Sequence, residues 1–231
     1  MNDDLTLLYY TANILPEHCA NNVRRYLLKI TQNKYPIISV SQDPLQFGFN
    51  ICVGKIGRTY YNCYEQILLG ARFVQTKYVA CCEDDTLYSM EHFSHRPPKD
   101  TFSYNGNMWY SEYDKFWRKY EGQNGMCGCI VETKKLIEYL EPRFIKFPSP
   151  PDSEKGQRHF QEPGRNDKWF GIPNAQTELF TTKTPLLTFN YFAGLGGKAI
   201  TRDHVPIVKK SMEPWGDCDN LHNRFWKGDG I

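Results

Sequence analysis

Apolar and polar positions fall along the first half of the chain in alternating blocks. Leu5-Thr6-Leu7-Leu8-Tyr9-Tyr10 is a short apolar run and predicts a first strand, ended by the small and polar residues Thr11, Ala12 and Asn13. Pro16-Glu17 opens a helix, with proline in the first turn, where its missing N–H costs least. Cys19, Val23, Tyr26, Leu27 and Ile30 recur at helical spacing and give that helix a buried face. Pro36-Ile37-Ile38-Ser39-Val40-Ser41 reads as the next strand and closes in Gln42-Asp43-Pro44. This is a β-α-β opening, whose two strands should lie parallel in one sheet. A glycine-punctuated segment runs from Gly48 to Gly57. Tyr64, Ile67, Leu68, Ala71 and Val74 then mark a second amphipathic helix. It leads into Tyr78-Val79-Ala80-Cys81-Cys82, an apolar run that predicts a buried central strand.

Beyond that strand the pattern is mixed. Thr101 to Gly106 predicts a strand closing in a turn, and Met108-Trp109-Tyr110 with Phe116-Trp117 forms a dense aromatic group. Cys127 to Val131 is strand-like, and Thr133 is placed to cap a third helix carrying Leu136, Ile137 and Leu140. Residues 148–166 are rich in Pro, Gly and charge and predict a long surface loop, suited to acceptor contact or to disorder. Pro185 to Phe189 is a late strand that enters the glycine loop Gly194-Leu195-Gly196-Gly197-Lys198, and Trp215 to Trp226 predicts a short terminal helix. No internal repeat or low-complexity tract interrupts the order.

Composition narrows the class. The 231 residues suit one large domain, and the 40% hydrophobic and 15% aromatic content supports a substantial core. A net charge of +2 gives no overall polybasic signal, so any nucleic-acid contact would need a local patch. The acidic start Met1-Asn2-Asp3-Asp4 lacks the basic and apolar segments of a leader, and no stretch approaches a membrane span. A soluble cytoplasmic protein is the expectation, in a host cytoplasm if phage-encoded. Of eight cysteines, Cys81 and Cys82 are adjacent and Cys127 and Cys129 lie two apart, with no paired C-x-x-C; they read as small buried hydrophobes.

The chemistry concentrates at Glu83-Asp84-Asp85, directly after the buried run. Adjacent carboxylates repel and need partners once water is removed. A divalent cation relieves both problems, and oxygen ligands suit Mg²⁺ or Mn²⁺. In an open α/β sheet, ligands sit beyond the carboxyl ends of the strands, where this triplet lies. A solvated acidic loop is the bland alternative.

A β-α-β start, a helix, an apolar strand and then the D-x-D-like triplet in Glu83-Asp84-Asp85-Thr86-Leu87-Tyr88, followed by Glu91-His92-Phe93, resemble glycosyltransferases of the GT-A fold, in particular short single-domain members of phage and environmental type. The likeness spans most of residues 5–140 and is most specific over 78–93. It implies an α/β GT-A domain with a mixed sheet, a parallel N-terminal β-α-β part and helices on both faces. Residues 1–100 would form the nucleotide-sugar-binding half and 101–231 the acceptor side. It implies transfer of a sugar from a nucleotide-diphosphate sugar, a UDP-sugar foremost, to an acceptor hydroxyl with Mn²⁺ or Mg²⁺. Asp85 would be the direct metal ligand. Glu83, longer than the usual aspartate, would face the ribose or a metal-bound water, and Asp84 could point either way. Thr11, Ala12 and Asn13 would lie beside the base, with Gln42 and Asp43 on the same side.

Other roles are distributed along the chain. Lys198 and Arg202, or Lys55 and Arg58 near Gly54 and Gly57, are the cations available to the diphosphate. His204 is the preferred further metal ligand, with His222 or Asn190 as substitutes. Inversion would require a carboxylate base, drawn from Asp152, Glu162, Asp167 and Glu178. Tyr104, Trp109, Tyr110 and Trp117 either pack a sugar or base or form core. The acceptor is expected to be a saccharide or surface polymer. A hydroxymethylated pyrimidine in phage DNA would call on a basic track from Arg96, Lys99, Arg118, Lys119, Arg158, Arg165, Lys209 and Lys210. A monomer or small homo-oligomer is expected. A sugar nucleotidyltransferase usually has a Gly- and Lys-rich loop after the first strand, which Thr11 to Leu15 is not; a non-catalytic nucleotide-sugar-binding protein is the other alternative.

Overall fold

The computed structural model describes residues 4–112, 114–118, 125–190 and 207–228. In chain order, β1 (Leu5–Thr11), α1 (Glu17–Thr31), β2 (Ile37–Ser41), β3 (Phe49–Cys52), α2 (Tyr60–Ala71) and β4 (Tyr78–Glu83) make the first half. Then come β5 (Thr86–Leu87), α3 (Met90–Ser94), β6 (Thr101–Asn105), β7 (Met108–Glu112), β8 (Lys115–Arg118), β9 (Cys129–Glu132) and α4 (Thr133–Lys146). The remainder is α5 (Glu154–Gln157), α6 (Asp167–Phe170), β10 (Gln176–Phe180), β11 (Leu186–Phe189), β12 (Ile207–Lys209), β13 (Ser211–Met212), β14 (Gly216–Asp217) and α7 (Cys218–His222), followed by a π-helical turn over Asn223–Lys227.

The main sheet has the strand order β10-β6-β9-β4-β1-β2-β3. β1 runs parallel to both β2 and β4, β2 runs parallel to β3, and β9 pairs antiparallel with β4 and β6. This is the mixed α/β sheet with a parallel β-α-β part that the sequence implies. Both faces are covered, so β1 reads as a continuous apolar run. Leu8 and Tyr10 face α2 and α4 in one cluster with Val40, Tyr64, Ile67, Val79, Cys81, Leu136 and Leu140. Leu5, Leu7 and Tyr9 face the other side with Leu27, Ala80, Cys82, Tyr88 and Ile130. Each such leucine or isoleucine contributes about 1.5–3 kcal/mol through burial.

A second sheet, ordered β12-β8-β7-β11-β5, stands on the acidic loop. β5 begins directly after Asp85 and pairs antiparallel with β11, Thr86 opposite Thr188. The tail is pinned back on α1: Asn22 Nδ2 donates to the Phe225 and Gly228 carbonyls, each at 2.9 Å.

Several sequence expectations shift. Pro16 occupies the cap position before α1 rather than its first turn. The glycine-punctuated segment contains β3, an edge strand hidden in the sequence by its half-exposed, non-alternating residues. Met108–Glu112 and Lys115–Arg118 are strands of a hairpin, and Met126–Gly128 is a 3₁₀ turn, so the β9 strand begins later than predicted. Thr133 is no cap: it is the first helical residue, and its hydroxyl donates to the Thr76 carbonyl at 2.9 Å. Residues 148–166 are not a loose loop. They hold α5, and Phe160 is fully buried among Tyr61, Phe144 and Phe170. All eight cysteines are free thiols, and six of them are buried.

Candidate active site

Parallel pairing of β1 with β4 places Tyr10 opposite Glu83, so the carboxyl end of the central strand and the end of β1 share one rim. Alternation along the strand then separates the acids. Glu83 falls on the face of Tyr10, whose hydroxyl donates to Glu83 Oε1 at 2.7 Å. Asp84 turns to the opposite face and accepts a hydrogen bond from the Thr11 hydroxyl. The buried Arg24 of α1, paired with Glu17, lies close enough to Asp84 to favour its charge. Asp85 leads into the second sheet. Its carbonyl accepts from the Phe189 N–H at 2.8 Å, and its Oδ1 accepts from the Thr86 hydroxyl at 3.0 Å. The question of where Asp84 points is thus answered by the pleat: it braces the rim, while Glu83 and Asp85 are half-buried there.

Electrostatics follow from this crowding. Burial pushes Glu83 up to about 7; the Tyr10 hydroxyl opposes that shift, and the charges of Asp84 and Glu162 add to it. Asp85 is raised well above the usual carboxylate range by burial and then by Glu83 and Asp84. Asp84 is also raised by burial, against the Thr11 bond and Arg24.

Asn13 builds the corner between the ends of β1 and β2. It adopts φ +54°, and its Oδ1 accepts from the N–H groups of Gln42 (2.8 Å) and Asp43 (3.0 Å). The ends of β1 and β2 are thereby locked together, with Asn13 N–H donating to Thr11 Oγ1 at 2.8 Å. Ala12 is half-buried beside them. Gln42 Nε2 reaches the Gly57 carbonyl at 2.7 Å, and Asp43 pairs with Lys55 at 2.5 Å. Lys55 and Arg58 are exposed on that flank.

The candidate bases separate clearly. Glu162 is half-buried, lies near the Met126 backbone, and is close enough to contribute to the raised affinity of Glu83 for its proton. Its neighbours are fixed on both sides: Arg143 Nη1 donates to the Gln161 carbonyl at 2.7 Å and the Tyr104 hydroxyl to the Pro163 carbonyl at 3.0 Å. Burial raises Glu162, with Arg165, 3.3 Å away, opposing the shift. Asp167, by contrast, is consumed in the interior. It pairs with the fully buried Arg143 at 2.8 Å and accepts the N–H groups of Gly164 and Ala175, each at 2.8 Å. Asp152 is exposed, and Glu178 bonds Ser103 and His95 on the outermost pair of strands, β6 and β10.

Tyr110 and Trp117 stack at 4.5 Å, and the charges of Glu83, Glu162 and Asp85 all reach Tyr110. Trp109 points to the other face of β7, and Tyr104 is core. His222 packs edge-on against Phe189 at 5.4 Å, and its buried Nε2 has no partner among the described residues. Asn190 donates its N–H to Ser111. Lys198, Arg202, His204 and Lys119 lie outside the described residues. Tyr10, the partner of Glu83, is not among the expected site residues. The signal was there in the parallel β-α-β reading, which puts the end of β1 beside the triplet.

Among the described residues no three His, Cys, Asp or Glu side chains converge on one point. The donor set still suits a hard cation. Glu83 and Asp85 each commit one oxygen to a hydroxyl donor and keep a second without a partner among the described residues. Mg²⁺ and similar ions are held by one or two carboxylates, waters and substrate phosphates rather than by an all-protein cage.

Comparison with solved structures gives distant matches. A glycosyltransferase involved in the glycosylation of the major capsid of PBCV-1 aligns over 80% of this chain and 92% of its own, at 9% identity and a TM-score of 0.47. The apo-form glycosyltransferase GlyE of Streptococcus pneumoniae TIGR4 aligns over 76% of this chain and 45% of its own, at 10% identity and a TM-score of 0.43. The bifunctional IspDF of Campylobacter jejuni aligns over 78% and 50%, at 9% identity and a TM-score of 0.43. The chain spans half or less of the last two proteins. These likenesses are too distant to bear on the reaction. No protein-family model matches the sequence, and no curated protein matches it.

Proposed function

We propose that this chain is a glycosyltransferase that moves a sugar from a nucleotide-diphosphate sugar to a saccharide hydroxyl. The observation that carries the reading is the division of carboxylates at the end of β4. Glu83 and Asp85 keep open oxygens at the rim, Asp84 braces it from behind, and Glu162 is held near Glu83 by contacts from another part of the chain.

Asn13, Gln42 and Asp43 form the corner for the base, and Lys55 and Arg58 flank it. Glu83 and Asp85 would hold Mn²⁺ or Mg²⁺, which supplies charge neutralisation to the diphosphate as it leaves. Glu162 acts as the base of an inverting transfer. It takes the proton from the acceptor hydroxyl, the acceptor oxygen bonds the anomeric carbon, and the bond to the nucleoside diphosphate breaks. A carboxyl raised by burial is nearer to the working pH and so better suited to this task. Tyr110, half-buried and stacked on the buried Trp117, would offer its ring to a sugar on the same side.

A saccharide acceptor is preferred to DNA because three of the eight cations of the basic track are already paired. Arg96 binds Asp4, Arg158 binds Glu154 and Arg165 binds Glu162. The test is release of nucleoside diphosphate from a panel of UDP-, GDP- and dTDP-sugars with Mn²⁺ and a mixture of saccharide acceptors. The expected result is turnover with one donor, lost in Glu162→Gln while donor binding persists. Donor binding without turnover on any saccharide or hydroxymethylated DNA would reduce the chain to a binding module.

A further inference from the structure

A cavity of about 510 Å³ opens at the start of β7, lined by Asn107, Trp109, Arg118, Lys183, Lys209 and Glu213 among others. It lies away from the acids. Trp109 points to the face of β7 that packs on Leu187, Met212 and Trp215, whereas Tyr110, next along the strand, points to the triplet. The volume is that of a small-molecule site, roughly 300–1,000 Å³.

The lining is charged in one sense. Three cations face one carboxylate, and none of Arg118, Lys183 and Lys209 forms an ion pair among the described residues. The Arg118 Nε–H is buried and has no acceptor among the described residues. Such a donor is costly to leave unmade. Two of the cations are also held in place before any ligand arrives. Arg118 lies over the Trp109 ring at 5.1 Å and Lys209 at 5.3 Å. Asn107 organises the wall: its Oδ1 accepts from Trp109 Nε1 at 3.2 Å and lies 3.4 Å from Arg118 Nη1, and its Nδ2 donates to the Thr182 carbonyl at 2.9 Å. Glu91 in turn grips the Lys183 backbone N–H through both carboxylate oxygens, at 2.9 and 2.8 Å.

We propose that this cavity binds a phosphomonoester on a molecule of hexose-phosphate size. A doubly charged terminal phosphate matches a guanidinium fork with two ammonium groups. Three cations gathered around one cavity suit a compact, doubly charged head group better than a track of singly charged phosphodiesters. The site stands apart from the donor site and does not depend on the proposed transfer.

The test is calorimetric titration with glucose 6-phosphate, and with glycerol 3-phosphate as a ring-free phosphomonoester, against glucose. Both phosphates should bind at millimolar concentration or below, and glucose should not. Arg118→Gln and Lys209→Gln should each weaken binding about tenfold, with circular dichroism confirming the fold. Asp85→Asn should leave phosphate binding unchanged. Absence of binding, affinity indifferent to both cation variants, or equal competition by an oligonucleotide without terminal phosphates would overturn the assignment.

Discussion

The Tyr10 hydroxyl donates to Glu83 Oε1 at 2.7 Å, so the end of β1 sets the position and charge of the first acid on β4. This bond opposes the burial that raises Glu83 to about 7. Tyr10→Phe removes it while keeping the ring in the core. In the metal-free protein the Glu83 titration, followed by NMR, should move up by about one unit, since a hydrogen bond to a charged group is worth about 1.5 kcal/mol. A Glu83 titration unchanged from wild type would show that this bond does not stabilise the carboxylate.

The same carboxyl makes a prediction about stability. Below 4.5, the ordinary value, folded and unfolded chains both hold the Glu83 proton. Between 4.5 and about 7 the unfolded chain releases it while the folded one keeps it, so stability falls as the pH rises through this window. The loss from this group levels off above about 7, at about 3 kcal/mol. Glu83→Gln should abolish this component. Thermal melts without added metal, from pH 4.5 to 8, should therefore show the variant gaining on wild type with rising pH.

Asp167 and Glu162 sit in the same Pro- and Gly-rich stretch and have opposite parts. Asp167→Ala leaves the buried Arg143 charge uncompensated and should cost about 3–5 kcal/mol in denaturant unfolding. Glu162→Gln should leave stability within about 1 kcal/mol of wild type, or raise it, because burial already disfavours the Glu162 charge. It should lower kcat by at least about a hundredfold if it removes the base. Equal effects of the two substitutions on unfolding would contradict the division of roles.

These two acids also mark the boundary of what the sequence makes legible. The triplet can be placed from Tyr78 to Cys82, because an unbroken apolar run after an amphipathic helix is the pattern of a strand buried on both faces. Glu162 and Asp167 cannot be told apart in this way. What separates them is Arg143, whose guanidinium takes Asp167 as its partner and also holds the Gln161 carbonyl, and no local pattern encodes a contact across 24 residues. The β7–β8 hairpin escapes for a different reason. Its aromatics at 109, 110, 116 and 117 face both sides of a short pair of strands, so the polar alternation that signals a half-exposed strand is missing.

Packing beneath the site gives a further test. A Cβ on Gly70 of α2 would stand 2.3 Å from Leu8 Cδ1 and 2.8 Å from Val40 Cγ2. Glycine is thus required for α2 to lie close on β1 and β2. Gly70→Ala should destabilise the fold by about 1–3 kcal/mol despite its better helix propensity. Chemical denaturation reads this directly, and a stabilised variant would show that α2 sits farther from the sheet.

The central claim is that Glu83 and Asp85 form the metal and donor site while Asp84 braces it. Calorimetric titration of nucleotide-sugars, with Mn²⁺ and with EDTA, on wild type, Asp85→Asn and Asp84→Asn tests it most directly. The account predicts Mn²⁺-dependent binding of a donor that Asp85→Asn abolishes and Asp84→Asn retains within about tenfold. No binding of any donor under either condition, or loss in Asp84→Asn with Asp85→Asn unaffected, would contradict it.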